Sequence, residues 1–200
     1  MSLAGVTMVP AISGQPRALP VECALQDIIC QHRHLARVLA ALEAHAKAIE
    51  AGDVLMDADF IVAALRYIHT FSYGIHQPAE EKFLFHAMRL GGAPGDVIDT
   101  AIAAHGAGAK ELARLENLFV ENRMPPALTS SAFLQLLPDQ LSLEYDSLAY
   151  EEKVVLPCAV ETLAATDWPP IADAFHLHED PLFGRRFAAE LVPLRRHLLN

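Results

Sequence analysis

The sequence predicts an all-α protein, an up-down-up-down four-helix bundle with a C-terminal helical extension. Apolar residues recur at steps of three and four along most of the chain, which is the period of an amphipathic helix. Short alternating runs of β-branched residues, which are typical of strands, are missing. Glycines and prolines divide the periodic stretches into four long segments, and their short connections are typical of antiparallel neighbours.

At 200 residues, the chain has the length of roughly one domain. We expect a flexible N-terminal tail at residues 1–20, because prolines and a glycine interrupt this stretch. The bundle is predicted at residues 21–165. A helical extension that packs on the bundle is predicted at residues 166–200.

The first predicted helix covers about residues 21–51, and Gly52 provides a natural stop just after it. The second begins at a capping aspartate, Asp57 or Asp59, and ends near residue 90.

Gly74 and Pro78 lie inside the second segment, so we expect a kink or brief break there.

The remaining predicted helices are the third at about 94–123, the fourth from 130 or 131 to about 164, a short one at about 168–175 and the last at about 183–199.

Charge and cysteine content exclude several classes of protein. Asp and Glu outnumber Lys and Arg by 25 to 15, for a formal net charge of −10, so we expect no nucleic-acid partner. No run of about 18 uncharged apolar residues occurs, so we expect no membrane-spanning helix. The three cysteines form no CxxC pair, which is typical of reduced thiols in a cytoplasmic protein.

Polar residues interrupt the apolar stripes of the predicted helices. His32 takes a core-facing position of the first helix, and His105 takes one of the third. In the second helix, His76 and Glu80 are four residues apart and therefore share one face. We expect these side chains to point into the bundle.

The second and fourth helices carry the same tripeptide. Residues 80–82 and 151–153 both read Glu-Glu-Lys, and the segments around them align without gaps. The second glutamate is turned by about 100° from the first on the helix, so at least one of each pair is expected at the surface. In this weak internal repeat His32 corresponds to His105, His76 to Ser147, and Glu80 to Glu151.

Buried carboxylates and imidazoles are costly unless they are paired or bind a metal. Taken alone, an inward histidine indicates a hydrogen-bonded core residue, and Glu-Glu-Lys indicates a solvated helix face. Four helices that each supply such groups to one interior favour a non-haem iron site, because imidazole and carboxylate are iron ligands. No catalytic residue is predicted, and the predicted metal ligands are His32, His76, Glu80, His105 and Glu151.

These residues resemble the haemerythrin-like (HHE cation-binding) domain, over about residues 22–165. The sequence Asp-Pro-Leu-Phe-Gly at residues 180–184 is similar to a bacterial branch of that family. The resemblance implies a di-iron centre that two glutamates bridge. In that family the first and third helices each supply one histidine, and the second and fourth helices each supply a His-x-x-x-Glu pair. The matching residues are His32, His76, Glu80, His105 and Glu151.

One position departs from the family pattern. The fourth-helix histidine falls on Ser147, whose hydroxyl is a poor iron ligand beside imidazole, so five of the six expected ligands remain. Three outcomes stay open: two irons with a water at the vacant position, one metal bound more tightly than the other, or a site that binds no metal well. Alternative ligands at other positions are Tyr145, Tyr150, His69 and His86.

Three functions fit this pattern. The first is a haemerythrin-type protein that holds one or two non-haem irons and binds or senses O₂, NO or peroxide. The second is an enzyme at the same site, a di-iron peroxidase or an NO-detoxifying enzyme. The third is a metal-free helical interaction module with a decayed site, an interpretation that Ser147 favours. The sequence does not specify a protein partner.

Overall fold

The structure is a computed structural model that describes residues 19–120, 126–177, 180–184 and 187–199. Residues 1–18 of the predicted tail lie outside these ranges. Within them every regular element is a helix and no strand is present, so the predicted all-α class is confirmed. None of the described helices is both long and apolar enough to cross a membrane.

Four long helices form the bundle and two shorter ones follow. The second and fourth long helices each include π-helical stretches, in which the hydrogen bonds span five residues instead of four. The helices are α1 (Pro20–Ala51), α2 (58–91), α3 (Gly95–Val120), α4 (126–162), α5 (Trp168–Leu177) and α6 (Val192–Leu199), the last preceded by a 3-10 turn (Ala189–Leu191).

The ends of α1 and α2 follow the sequence signals. Gly52 ends α1 in the left-handed region at φ 77°, where its N–H donates to the Ile49 carbonyl at 3.0 Å. Asp57 caps α2, and its carboxylate accepts from the Phe60 N–H at 3.0 Å. Gly92, at φ 86°, ends α2 in the same way as Gly52 ends α1.

Two predicted helix starts are wrong. Helix α4 begins at Pro126 rather than at residue 130 or 131, because proline fits the first position of a helix, where no N–H donor is needed. The last helix begins at Val192 rather than near residue 183. The Asp180 carboxylate accepts two backbone N–H bonds, from Leu182 at 2.8 Å and from the next residue at 2.9 Å, and so folds this stretch into a turn.

The expected break inside α2 is replaced by a change of helix type. The helix is continuous from residue 58 to residue 91, but Ile68–His76 and Glu80–Phe85 are π-helical. Pro78 lies in the short α-helical stretch between them and has no N–H to donate. The wider turns on either side accommodate the missing hydrogen bond without ending the helix.

Two apolar clusters fill the bundle, separated along its axis by a layer of polar side chains. Both draw residues from all four long helices, and both are closed to solvent. The upper cluster includes Leu39, Phe60, Leu115 and Phe133, and the lower cluster includes Ile28, Phe85, Ile98, Val155 and Trp168.

The order of these residues gives the direction of each helix. Along α1 the chain passes from the lower cluster to the upper one, and along α2 it returns. Helices α3 and α4 repeat the same passage. The four helices therefore alternate in direction, as an up-down-up-down bundle requires.

The C-terminal helices pack on the outside of the bundle. Helix α5 lies mainly along α1, and α6 lies along the beginning of α2. Between them the buried Asp180 carboxylate accepts from the Tyr67 hydroxyl at 2.8 Å and from Nδ1 of His34 at 2.9 Å. These bonds attach the chain after α5 to both α1 and α2.

Two glycines in α3 have different surroundings. A Cβ on Gly108 would collide with the hydroxyl of Tyr73 and would lie 3.6 Å from Glu144 Oε1. A Cβ on Gly106 would meet nothing within 4 Å. The absence of a side chain at Gly108 therefore makes room for the Tyr73 hydroxyl beside α3.

We expect opposite effects of alanine at these positions. Gly106→Ala should raise the unfolding free energy by about 0.5–1 kcal/mol, because alanine favours the helix. Gly108→Ala should lower it by about 1–3 kcal/mol, because the methyl group displaces the hydroxyl of the half-buried Tyr73. Urea unfolding of both variants measures the difference, and an equal gain in stability from both would contradict the close approach at Gly108.

Candidate metal centre

The five predicted ligands come together in the polar layer between the two apolar clusters. One comes from α1, two from α2, one from α3 and one from α4. The π-helical stretches lie at the same level, since His76 ends one while Glu80 and Glu151 each begin another. All five side chains are buried, with Glu80 fully so and with at most 4% exposure for His32, His76, His105 and Glu151.

Four of the five form a compact group, which we call the His32 side. One ligand atom each from His32, His76, Glu80 and Glu151 lies within 4.8 Å of the other three. His32 Nε2 is 3.1 Å from His76 Nε2 and 3.2 Å from Glu151 Oε2. His76 Nε2 is 3.5 Å from Glu80 Oε1. Two imidazoles and two carboxylates at these separations could hold a metal ion.

His105 lies across the two carboxylates from that group, on what we call the His105 side. Its Nε2 is 3.5 Å from Glu80 Oε2 and 3.2 Å from Glu151 Oε1. Each carboxylate therefore presents one oxygen to the His32 side and the other to the His105 side. Ser147, at the vacant family position, donates its hydroxyl to Glu151 Oε1 at 2.9 Å.

The Glu80 carboxylate lacks the hydrogen bonds that a buried charge needs. Its side chain has no exposure to solvent, and neither of its oxygens has a hydrogen-bond partner. An ionised carboxylate in such a place is strongly disfavoured unless a cation compensates it. The histidine nitrogens around it, at 3.5 to 3.9 Å, are placed as ligands of a shared cation would be.

The outer nitrogens of two histidines bind carboxylates of the Glu-Glu-Lys tripeptides. His32 Nδ1 is 3.0 Å from Glu152 Oε1, and His105 Nδ1 is 3.0 Å from Glu81 Oε1. Glu81 and Glu152 are 45% and 44% exposed, in line with the expectation that at least one glutamate of each pair lies at the surface, yet each reaches back to a buried imidazole. Carboxylates in this position orient histidine ligands and raise their basicity.

The third histidine has a different outer partner. His76 Nδ1 lies 2.8 Å from Gln31 Oε1, and the Gln31 amide donates to the Phe175 carbonyl at 3.1 Å. Helix α5 thus helps to fix the orientation of His76. Sequence reasoning missed Gln31, although it is a polar residue directly before His32 on the buried side of α1.

These partners determine which nitrogen faces the interior. Carboxylate and amide oxygens accept hydrogen bonds, so the Nδ1 atoms of His32, His76 and His105 carry the hydrogens. In the neutral form the lone pair of each imidazole is then on Nε2, the nitrogen that lies in the interior of the site. This is the tautomer that a metal ion requires.

The pKa values of the metal-free site reflect the close contact between its imidazoles and carboxylates. Burial by itself lowers the pKa of His32, but the Glu151 and Glu80 carboxylates raise it to about 10. Burial also opposes protonation of His105, and the same carboxylates with Glu81 raise its pKa to about 9. Without metal, protons on the two imidazoles therefore compensate the buried carboxylates.

The two central glutamates differ in their titration. Burial and the charge of Glu151 raise the pKa of Glu80 to about 7. Burial acts in the same direction on Glu151, but bonds from His105 and His32 hold its pKa well below the usual range. Metal ligands must be deprotonated, so metal would replace these protons.

A third buried glutamate lies one helical turn before Ser147. Glu144 is 2% exposed, and its Oε1 accepts from the Tyr73 hydroxyl and from the Gln140 amide, the latter at 2.6 Å. Burial raises the pKa of Glu144 to about 7, against the bond from Tyr73. Sequence reasoning missed Glu144, and the spacing Glu-x-x-Ser-x-x-x-Glu on one helix face was the available signal.

The alternative ligands lie elsewhere. His69 is 64% exposed and pairs with Glu116 at 3.1 Å. His86 is exposed as well. Tyr150 donates to the Val97 carbonyl at 3.3 Å, and Tyr145 lines a surface groove between α1 and α4.

We expect the stability of the metal-free protein to fall between pH 6.5 and about pH 10. The histidine pKa values are raised in the folded state, so their contribution is complete below 6.5 and is lost as pH rises through the values of about 9 and 10. Urea unfolding of chelator-treated protein measures this slope. The double variant His32→Gln/His105→Gln should lose most of it, and the exposed control His69→Gln should keep it; equal slopes in both variants would contradict the assignment.

No protein-family model matches the chain, and no curated protein matches it in sequence. The geometry itself shows a buried group of two histidines and two glutamates that could hold a metal ion.

Proposed function

We propose that this protein is a non-haem iron protein of the haemerythrin type that binds or senses O₂, NO or peroxide. The observation that carries the proposal is the fully buried Glu80 carboxylate, which has no hydrogen-bond partner and lies among the inward nitrogens of three histidines. The two carboxylates each face both sides of the site, which supports a pair of ions.

The donor set supports iron. Imidazole nitrogen and carboxylate oxygen together suit iron, whereas a structural zinc site is usually closed by thiolates and imidazoles in a tetrahedron. None of the three cysteines belongs to the group that could hold a metal. Bound iron would supply a redox-active centre with coordination positions open to a small ligand.

The lining of the site favours a small ligand. Phe71 and Phe175 flank the ring of His76, with centroids 6.1 and 5.7 Å away, and Phe85 stacks on His105 at 5.8 Å. These rings and the buried helix faces keep bulk water and larger polar molecules away from the carboxylates. Diatomic gases and peroxide are small enough to reach such a site.

The metal-free interaction module accounts less well for the same features. A site that no longer bound metal would have no need to keep three oriented imidazoles around an unsatisfied carboxylate. Replacement of Glu80 by an apolar residue would then be neutral or stabilising. The enzyme alternative uses the same centre and differs from binding only by turnover, so steady consumption of peroxide or NO would favour it.

We expect His76→Ala to lose at least half of the iron bound by the wild type and to remain folded. His76 is one of two imidazoles on the His32 side, and the two apolar clusters that hold the bundle do not include it. Anaerobic loading with ferrous ion, followed by metal analysis and circular dichroism, measures both properties.

His86→Ala is the matched control, since His86 lies on the same helix and is exposed. It should retain full iron content. Equal iron content in His76→Ala and the wild type would contradict the proposed site.

A further inference from the structure

We propose that the Glu144 carboxylate is a further metal ligand that completes the His105 side for a second ion. The inference rests on the proposed function, because it assigns a ligand to the second of two irons. It also accounts for the serine at position 147, where the repeat places a histidine in the second helix.

The His105 side has too few donors without another residue. It offers one imidazole nitrogen, Glu80 Oε2 and Glu151 Oε1. The Ser147 hydroxyl is a weak ligand and is already used as a donor to Glu151. The His32 side offers the same two carboxylates with two imidazoles. An additional strong donor next to His105 would give a second ion as many protein donors as the first.

Glu144 lies beside the His105 side along both of the helices that flank it. On α4 it is three residues before Ser147 and seven before Glu151, so the three side chains follow one helix face. On α3, Gly108 is one turn after His105, and a Cβ there would lie 3.6 Å from Glu144 Oε1. The carboxylate is therefore about one helical turn, roughly 5 Å, from the level of His105.

The charge of this region also favours a cation. Glu144 is 2% exposed, and its hydrogen-bond donors, Tyr73 and Gln140, are both neutral. Among the described residues, no Lys or Arg forms an ion pair with it. On the same side, the fully buried Glu80 Oε2 has no hydrogen-bond partner at all. A divalent ion between Glu144 and Glu80 would compensate both carboxylates.

Tyr73 and Gln140 act as positioning residues in this scheme. Both donate to the same oxygen of Glu144, which restrains the orientation of the carboxylate. The absence of a side chain at Gly108 gives the Tyr73 hydroxyl the room for this bond. The arrangement is thus supported by residues from α2, α3 and α4.

The test is a count of ions bound by chelator-treated protein during anaerobic titration with Co²⁺, followed by its visible spectrum. The wild type should bind two ions per chain. Glu144→Gln should keep the first ion with unchanged affinity and bind the second at least tenfold more weakly. Glu111→Gln is the matched control, because Glu111 is another buried glutamate, paired with Arg114 at 2.6 Å on α3, and it should bind two ions.

Two further variants separate ligation from folding. Tyr73→Phe removes a positioning bond but no ligand, so it should weaken binding of the second ion less than Glu144→Gln does. Ser147→His introduced into Glu144→Gln should restore the second ion, because it supplies an imidazole at the vacant position of the repeat.

Three results would overturn the inference while leaving the proposed function intact. They are a wild type that binds one ion only, a Glu144→Gln variant that binds two ions as tightly as the wild type, and loss of the second ion in Tyr73→Phe as complete as in Glu144→Gln. A wild type that binds no ion would instead contradict the proposed function, and the inference with it.

Discussion

The Glu80 carboxylate lies where the four long helices meet, with no exposure to solvent and no hydrogen-bond partner. The need to compensate its negative charge governs the arrangement of the side chains around it. The nearest compensating groups are imidazoles from α1, α2 and α3. Each imidazole can point its Nε2 inward only because an oxygen from another helix holds its Nδ1. The polar layer is therefore a connected network. The two buried apolar clusters above and below it supply most of the stability, because a buried polar layer contributes little.

The fold and the inner residues of the site could be predicted because they follow from local patterns. Helical periodicity, with stops such as Gly52 and caps such as Asp57, identifies the elements that the structure contains. A histidine in an apolar stripe or a His-x-x-x-Glu pair points inward by spacing alone. The internal repeat then relates Glu80 to Glu151, and these two residues do lie together between the histidines.

The residues that were missed act across helices, where sequence spacing carries little information. Glu81 and Glu152 look like solvated positions on their own helices, and only the packing of the bundle brings each one to an imidazole of another helix. Gln31 needs the C-terminal helix α5 to complete its bonds, and Glu144 needs Tyr73 from α2. The π-helical turns depend on the hydrogen-bond register of the backbone, which the 3.6-residue period of apolar side chains does not reveal.

The most direct test is the metal content of protein produced in iron-replete medium and purified without chelator or His tag, with its optical spectrum. A bundle that keeps three oriented imidazoles around the unsatisfied Glu80 carboxylate should contain iron, and a site with donors on both sides of Glu80 and Glu151 should take up about two ions per chain. Absorption bands of an oxo-bridged pair should accompany them. No iron as isolated, and none after anaerobic reconstitution with ferrous ion, would contradict the account and favour a metal-free helical interaction module.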